Sequence, residues 1–331
     1  MKLLVVRRDN IGDLVLTTPV FRALRSRFPG ARIEAFVNSY NAPVLAAHPD
    51  VDQVHAYTKA KHLEAGAAGN WIGRVRQVLA LRAQRFDHVI VATPGYQPRQ
   101  VRFARWLAPA HIAAFVPPGA RIAGVDLPVA YDGPGERHHV EDTFRILGPL
   151  GIEGAPPAPR LARTAPSRQA GVPPTIAIHV SARKPSSRWP EDRFPTLLRA
   201  LHEDFGARFR LFWSPGTEDD PRHPGDDGKA RRIAGACAGL PLEMIETREL
   251  PALIDALAQC QAIVCSDGGA MHLAAALGMP VTCFFGDSNA AYWRPWGVPF
   301  RVLQPASRDV RDVSVAQGRE SFRALWSSGP P

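Results

Sequence analysis

Cysteine, long apolar stretches and internal repeats are the scarce features of this 331-residue sequence. Only four cysteines occur, Cys237, Cys260, Cys265 and Cys283, all in the C-terminal half and none in a CxxC pair. That pattern excludes a disulfide framework and a Cys/His zinc site. Cys265 and Cys283 sit in apolar runs and read as buried small hydrophobes. No apolar run reaches the ~18 residues of a membrane span. The longest, Leu273 to Phe285, is broken by Gly278 and Pro280. Arg7, Arg8 and Asp9 follow the first apolar run at once, which is not the pattern of a secretory signal. The chain reads as cytoplasmic. No P-loop, HExxH or GxSxG occurs, so three common signatures of phosphate, zinc and acyl chemistry are missing. No repeat of fixed period appears.

What is present is an ordinary globular composition, 45% hydrophobic and 21% charged. At ~100–200 residues per domain the length predicts two domains. The formal charge of +9 asks for an anionic partner. The basic residues look scattered, with no run of five and no aromatic-interleaved basic motif. This argues against a specific nucleic-acid partner and for phosphate-bearing small molecules or lipids.

Strands alternate with helices along the chain. Lys2–Val6 reads as a strand, then a helix from about Gly12 to Phe28, which Pro19 kinks or restarts. Strands are predicted over Ala31–Val37, Val51–Tyr57 and His88–Ala92, with a short helix over Asn41–His48 and a longer one over Trp71–Arg85. Continuous apolar runs such as HVIVA suit strands covered on both faces, as in a parallel sheet. Gly154 to Pro174 carries six prolines and reads as an exposed interdomain linker. The alternation then restarts: strands Thr175–Val180, Arg208–Trp213, Ala262–Cys265 and Val281–Phe285, and helices at Phe194–Phe205, Leu250–Gln259 and Ala270–Leu277. Gly206 stands where a helix C-cap falls. Val313–Trp326 is helical in pattern and a candidate to cross back to the first domain. The expected organisation is therefore residues 1–154, a linker at 155–174, a second domain at 175–312 and a terminal helix at 313–331. Two doubly wound α/β domains facing across a cleft would bind ligand at the strands' carboxyl ends.

Three segments fall at such strand ends. Arg7-Arg8-Asp9-Asn10-Ile11-Gly12-Asp13 follows the first strand and opens the first helix. Asp13 suits a cap, because its oxygens accept backbone N–H groups. It also suits a general base, if a substrate hydroxyl comes within hydrogen-bond reach. Ser266-Asp267-Gly268-Gly269, with His272 beyond, is a strand, glycine turn and helix start, which suits a diphosphate. Asp267 can cap that helix or bind sugar hydroxyls. Ser181 through Arg188 places Arg183, Lys184 and Arg188 among serine hydroxyls, either a phosphate site or a solvated basic loop. Trp189-Pro190 reads as an anchor for the next helix. Trp293 and Trp296 read as packing residues.

Strand–RxxxIGD–helix with Thr18-Pro19, the Arg188–Pro190 RWP, and DGGAMHLAAALGMPVTCFFG over Asp267–Gly286 resemble glycosyltransferase family 9, the bacterial heptosyltransferases. The likeness extends to the Asn38 turn, HPDVDQV and HHVEDTFRILGPLGI. It implies a GT-B fold of two Rossmann-like domains. It also implies inverting, metal-independent transfer without a cofactor, from ADP-L-glycero-D-manno-heptose to the lipopolysaccharide inner core. By motif position Asp13 matches the proposed base. Asp267, Gly268, Gly269 and His272 match the donor loop, and Ser181, Lys184 and Arg188 are assigned donor contacts. The expected partners are the nucleotide sugar, the lipid A–core acceptor and the anionic inner membrane, met peripherally from the cytoplasmic face. Lys59, Lys61 and Arg102 are candidates for acceptor phosphates.

Two positions depart from the family pattern. Ser187 stands where a lysine is common, so Lys184 and Arg188 are the nearest cations. Gly268 stands where Thr or Ser is common, which removes a hydroxyl. Alternative expectations are a family 9 transferase for another nucleotide sugar, a GT-B nucleotide-sugar epimerase, and a non-catalytic glycan- or polyanion-binding protein.

Overall fold

The computed structural model describes residues 1–58, 67–169, 171–219 and 225–327. It divides into two units, Met1–Ala162 and Arg163–Pro331. The division falls inside the proline-rich segment.

The first unit is built on six strands: β1 (Lys2–Val6), β2 (Arg32–Asn38), β3 (Gln53–Tyr57), β4 (His88–Val91), β5 (His111–Val116) and β6 (Leu127–Ala130). All pairings are parallel, in the order 3-2-1-4-5-6. Between the strands run α1 (Ile11–Val15), α2 (Thr18–Arg27), α3 (Ala67–Ala83), α4 (Pro98–Trp106) and α5 (His139–Phe144). Leu3, Leu4, Val5 and Val6 of β1 are fully buried, the signature of a central parallel strand covered on both faces. The expected single helix from Gly12 is two. Pro19 sits in the first turn of α2, where its missing N–H costs nothing, and Thr18 Oγ1 donates to Val15 O at 2.7 Å. The expected helix at Asn41–His48 is only a 3-10 turn over Ala42–Leu45.

The second unit repeats the plan with β7 (Thr175–His179), β8 (Arg208–Phe212), β9 (Leu242–Ile245), β10 (Ala262–Ser266), β11 (Val281–Phe284) and β12 (Phe300–Leu303). Its order is 12-11-10-7-8-9, again fully parallel. Counted from its own first strand this is the same doubly wound order as in the first unit. Its helices are α6 (Arg193–Phe205), α7 (Asp227–Ala236), α8 (Leu250–Leu257), α9 (Gly269–Ala276), α10 (Ala290–Trp293) and α11 (Val315–Ser327). Phe194, Leu197, Leu198 and Leu201 put the apolar stripe of α6 into the core, and Gly206 closes the helix at φ 63°. Trp189 anchors this core. Its ring stacks 4.7 Å from Phe284 and its Nε1 donates to Val313 O at 2.9 Å.

The proline-rich segment is mostly exposed, and it is pinned at points to each unit. Pro159 and Leu161 are buried, and Arg160 forks onto Asp50 at 2.9 and 2.5 Å. On the other side Ala165 N–H reaches Leu277 O at 2.8 Å and Arg163 pairs with Asp255 at 3.1 Å. Proline denies the segment a ladder of its own, so its remaining polar groups bind each unit instead. The last helix, expected as a candidate to return to the first domain, packs α11 on α6, β11 and β12 of its own unit. Phe322 and Trp326 lie in that unit's core.

In a doubly wound sheet the ligand crevice lies outside the strand carboxyl ends where the order reverses. Those points are β1/β4 in the first unit and β7/β10 in the second. The segments at Arg7–Asp13, Ser181–Arg188 and Asp267–Gly269 stand at these ends.

Candidate active site

In the first unit, β1 runs out at Val6 and the chain turns through Arg7–Asn10 into α1. Two asparagines hold that turn by its carbonyls. Asn38 Nδ2 donates to Arg8 O at 2.7 Å and Asp9 O at 2.8 Å, and Asn41 Nδ2 to Asp9 O at 3.2 Å. Arg7 points inward and is 1% exposed. Its Nη1 donates to Ala92 O at the end of β4, so it spans the switch point. Nε lies 3.1 Å from Asp9 Oδ2, and Nη2 lies 3.1 Å from Asp13 Oδ1. Thr93 Oγ1 also donates to Asp9 Oδ2, at 2.9 Å.

Asp13 is the third residue of α1, not its N-cap. Oδ2 accepts the N–H of Asn10 at 2.9 Å, half of a capping box. One oxygen of Asp13 closes the helix and the other faces Arg7. The side chain keeps 14% exposure, so an edge of the carboxylate stays open. His139 Nε2, from α5, lies 3.0 Å from Arg7 Nη2 and 3.8 Å from Asp13 Oδ1. Arginine only donates, so the contact with Nη2 calls for Nε2 as its acceptor. His138 sets the position of α5: its Nδ1 caps Val140 N–H at 3.1 Å while Glu141 Oε2 accepts His138 N–H at 2.7 Å. Burial, and the nearby carboxylates of Asp13 and Asp9, push the Tyr40 hydroxyl up to about 12, so it is a neutral donor to Asp9 O at 3.0 Å.

Arg7 and His139 escape sequence reading as site residues. Both lie in quoted motifs, Arg7 beside the IGD turn and His139 in HHVEDTF, but 132 positions separate them. Only the fold brings them together.

In the second unit the assigned residues fall into two groups. Lys184 Nζ bonds Asp287 Oδ1 at 2.9 Å and Ser288 Oγ at 3.3 Å. Asp267 belongs to this group. Burial raises its carboxyl above the ordinary range, opposed by a hydrogen bond from Ser288 and by the charges of Lys184 and Arg183. Arg188 belongs to the other group: its Nε donates to Ala182 O at 3.0 Å, and its charge bears on Lys229. Lys229, on α7, was not singled out from the sequence. It is buried and donates to Val180 O at 2.7 Å at the end of β7, and burial lowers its ammonium below the usual range. Ser181 is buried too, its Oγ accepting Ser214 N–H at 2.8 Å.

The turn at Gly268–Gly269 opens α9. Gly268 is extended, and a Cβ there would meet open space, so local sterics do not require glycine at that position. Gly286 is different. A Cβ would run into the carbonyl of Ser186, so glycine is what lets the Ser186 and Asp287 loops close on each other. His272 is buried in α9, its ring centroid 6.4 Å from that of half-buried Trp293.

Arg102 lies on α4 of the first unit, at a cavity of about 280 Å³. Phe36, stacked on Tyr57 and Phe103 at 5.1 and 4.3 Å, forms the apolar wall. Arg8, Arg74, Arg99 and Arg102 supply the polar part, with the Arg8 guanidinium 4.3 Å above the Tyr57 ring. Lys59 and Lys61 lie outside the described residues. Among the described residues no three His, Cys, Asp or Glu side chains gather as a metal site.

The sequence profile of Glycosyltransferase family 9 (heptosyltransferase) matches residues 74–314. Lipopolysaccharide heptosyltransferase 3 of Escherichia coli is 23% identical, covering 93% of this chain and 90% of its own length. Lipopolysaccharide heptosyltransferase 2 of E. coli K12 is 22% identical, covering 96% and 92%. Among solved structures, a family 9 glycosyl transferase from Veillonella parvula superposes with a TM-score of 0.80 at 17% identity, covering 99% of this chain and 97% of that one. E. coli heptosyltransferase WaaC with ADP superposes at 0.78 and 20% identity, covering 98% and 100%. At that identity the superpositions speak for the fold, which is GT-B.

Proposed function

This chain belongs to glycosyltransferase family 9, the heptosyltransferases, and from that premise we propose the reaction it performs. A heptose carried by ADP is transferred, with inversion and without a metal, to a sugar hydroxyl of the lipopolysaccharide inner core. The WaaC structures hold ADP and ADP-2-deoxy-2-fluoro heptose, which supports the same donor here.

The observation that carries the reading is Asp13. It is a largely buried carboxylate at the switch point of the first sheet, fixed from both sides and open at one edge. Each carboxylate oxygen has two acceptor sites, so Oδ1 can bond Arg7 and still take a proton. The acceptor oxygen attacks the anomeric carbon from the side opposite the diphosphate. The carbon–oxygen bond to ADP breaks, its electron pair leaves with the diphosphate, and the hydroxyl proton passes to Asp13.

In the second unit, Arg183, Lys184 and the N–H groups opening α9 meet the charge that develops on the leaving diphosphate. Asp267 and Ser288 orient Lys184, and Asp267 is placed to bind sugar hydroxyls. Arg188 and Lys229 add positive potential at the end of β7. His272 shapes the wall of this site with Trp293. The cavity holding Arg102 takes the anionic part of the acceptor in the first unit. Because that acceptor is lipid-linked, the enzyme works peripherally at the cytoplasmic face of the inner membrane. No helix among the described residues is long and apolar enough to cross a membrane.

The test is transfer by purified protein from ADP-heptose to a heptose-deficient core oligosaccharide, read by mass spectrometry. Donor-dependent gain of one heptose supports the reading. No gain, with an isomerised sugar accumulating when acceptor is omitted, overturns it in favour of an epimerase.

A further inference from the structure

The net charge is less scattered than the sequence first suggests. Between residues 65 and 125 stand eight arginines and one acid, Asp87, so this stretch holds +7 of the +9. Helices α3 and α4 carry six of those arginines and no Asp or Glu at all. The two helices are neighbours: Arg82 of α3 donates to the carbonyl of Trp106, the last residue of α4, at 3.0 Å.

These two helices also expose large apolar side chains. Ile72 is 50% exposed, Leu79 59% and Trp106 55%. Ile72 and Leu79 are seven residues apart, two turns of one helix face, and Leu81 on the opposite face is buried in the core. Exposed Arg76 stands between them along the helix. A helix with an apolar outer stripe, flanking arginines and no acid fits the interface plane of an anionic bilayer. The aromatic edge of Trp106 suits headgroup depth, and long arginine side chains can reach phosphates while their stems lie along apolar surface. A nucleic acid would use the arginines but not Ile72 and Leu79.

We propose that the α3–α4 face of the first unit docks on a bilayer of anionic phospholipid, with Ile72, Leu79 and Trp106 inserted at headgroup level and Arg76 and Arg82 against lipid phosphates. The idea rests on the proposed lipid-linked acceptor only for why the enzyme should meet a membrane.

The test is co-sedimentation of the full chain with vesicles of phosphatidylcholine alone or mixed with phosphatidylglycerol. Binding to the mixed vesicles, weakened by salt and weak on phosphatidylcholine alone, is expected. Arg76→Gln should lower the partition coefficient about fivefold. The pair Ile72→Ser with Leu79→Ser should lower it tenfold or more. Transfer to a water-soluble core acceptor and the melting temperature should stay as in wild type, since these side chains point outward. Three results overturn the proposal: equal binding to both vesicle types, wild-type binding by both variants, or loss in Arg76→Gln alone with equally tight binding to a single-stranded oligonucleotide. If vesicle binding behaves as expected but the wild type transfers nothing to the soluble acceptor, the docking face stands and the transferase reading falls.

Discussion

The Arg7 guanidinium lies 3.1 Å from the Asp13 carboxylate, and the two residues belong to opposite ends of one loop. Arg7 leaves the sheet at β1 and Asp13 enters the first turn of α1. Their contact closes the loop on itself, while Nη1 of the same arginine fastens it to Ala92 beyond β4. A side chain that is 1% exposed cannot leave its charge uncompensated, and Asp9 and Asp13 supply the compensation. The base proposed for transfer is thus also part of what balances a buried cation.

Asp13→Asn separates these roles. The amide oxygen can still accept from Arg7, while its NH2 then faces the Asn10 N–H and that capping bond is lost, at a cost of about 1 kcal/mol; Asp9 still pairs with Arg7, and the amide is no useful base. Turnover should fall by about 10²–10⁴. Binding of ADP-heptose, measured by calorimetry, should stay within about twofold of wild type. Turnover within a few-fold of wild type with normal donor affinity would sink the base assignment.

Arg7→Met tests the other partner. Two carboxylates then share the switch point without their cation. Breaking a buried pair by removing one member costs roughly 3–5 kcal/mol. A fall in melting temperature of roughly 6–12 °C is expected from the low end of that range. His139→Gln should be mild by comparison, because an amide oxygen can accept from Nη2 as the imidazole does. Equal damage from both changes would show that the imidazole has a duty beyond accepting from Arg7.

Local pattern carried most of the fold. The RRDNIGD turn, the Gly206 cap and the DGG helix start are each defined within a few neighbouring residues, and each stands where its residues predict. The Rossmann-like order follows from alternating apolar strands and amphipathic helices. Strands β5, β6, β9 and β12 lie outside the strands expected from the sequence; β6 and β9 are four residues each, with Pro128 inside one and Pro241 just before the other. The Arg7–His139 contact and the buried Lys229 depend on long-range packing that no motif spacing encodes. Arg183, Lys184 and Arg188 look alike in sequence, yet Lys184 serves the Asp267–Ser288 group while Arg188 turns to the β7 end. The difference arises because the 3-10 turn at Pro185–Ser187 separates Lys184 from Arg188.

Lys184 gives a test with opposite signs. Its ammonium already pairs with Asp287, and both side chains are about half exposed. A diphosphate must compete with that carboxylate for the lysine. Lys184→Ala should weaken ADP binding about tenfold, whereas Asp287→Asn should leave it unchanged or tighten it. Isothermal titration at two salt concentrations checks this, since the lysine-dependent part should shrink at high salt. Tighter ADP binding by Lys184→Ala, or a loss in Asp287→Asn as large as in Lys184→Ala, would remove Lys184 from the diphosphate site.

The four cysteines should be silent in the folded protein. All are buried, and burial pushes Cys260 up to about 12, with Cys237, Cys265 and Cys283 raised as well. The thiolate is the reactive form, so an aromatic disulfide reagent at pH 8 should label none of them at native conditions. In denaturant all four should react. Rapid labelling of even one in the native state would contradict their burial.

Acid should destabilise the second unit through His179. Burial holds its imidazole at about 4, against 6.5 in an unfolded chain. The unfolded state therefore binds a proton that the folded state refuses. Stability from this residue is fully present above pH 6.5 and is lost as pH falls from 6.5 toward 4. His48 and His88 in the first unit are lowered by burial too and act with the same sign. Asp267, raised by burial, acts with the opposite sign, since protonation relieves it. The lowered carboxylates of Asp204 and Asp227 contribute stability that is lost only nearer their ordinary value of 3.8. Denaturant midpoints of wild type should therefore drop between pH 6.5 and 4.5, and His179→Gln should flatten part of that drop while leaving the midpoint at pH 8 nearly in place or modestly lower. An unchanged slope in the variant would mean that His179 takes up its proton without opening the fold.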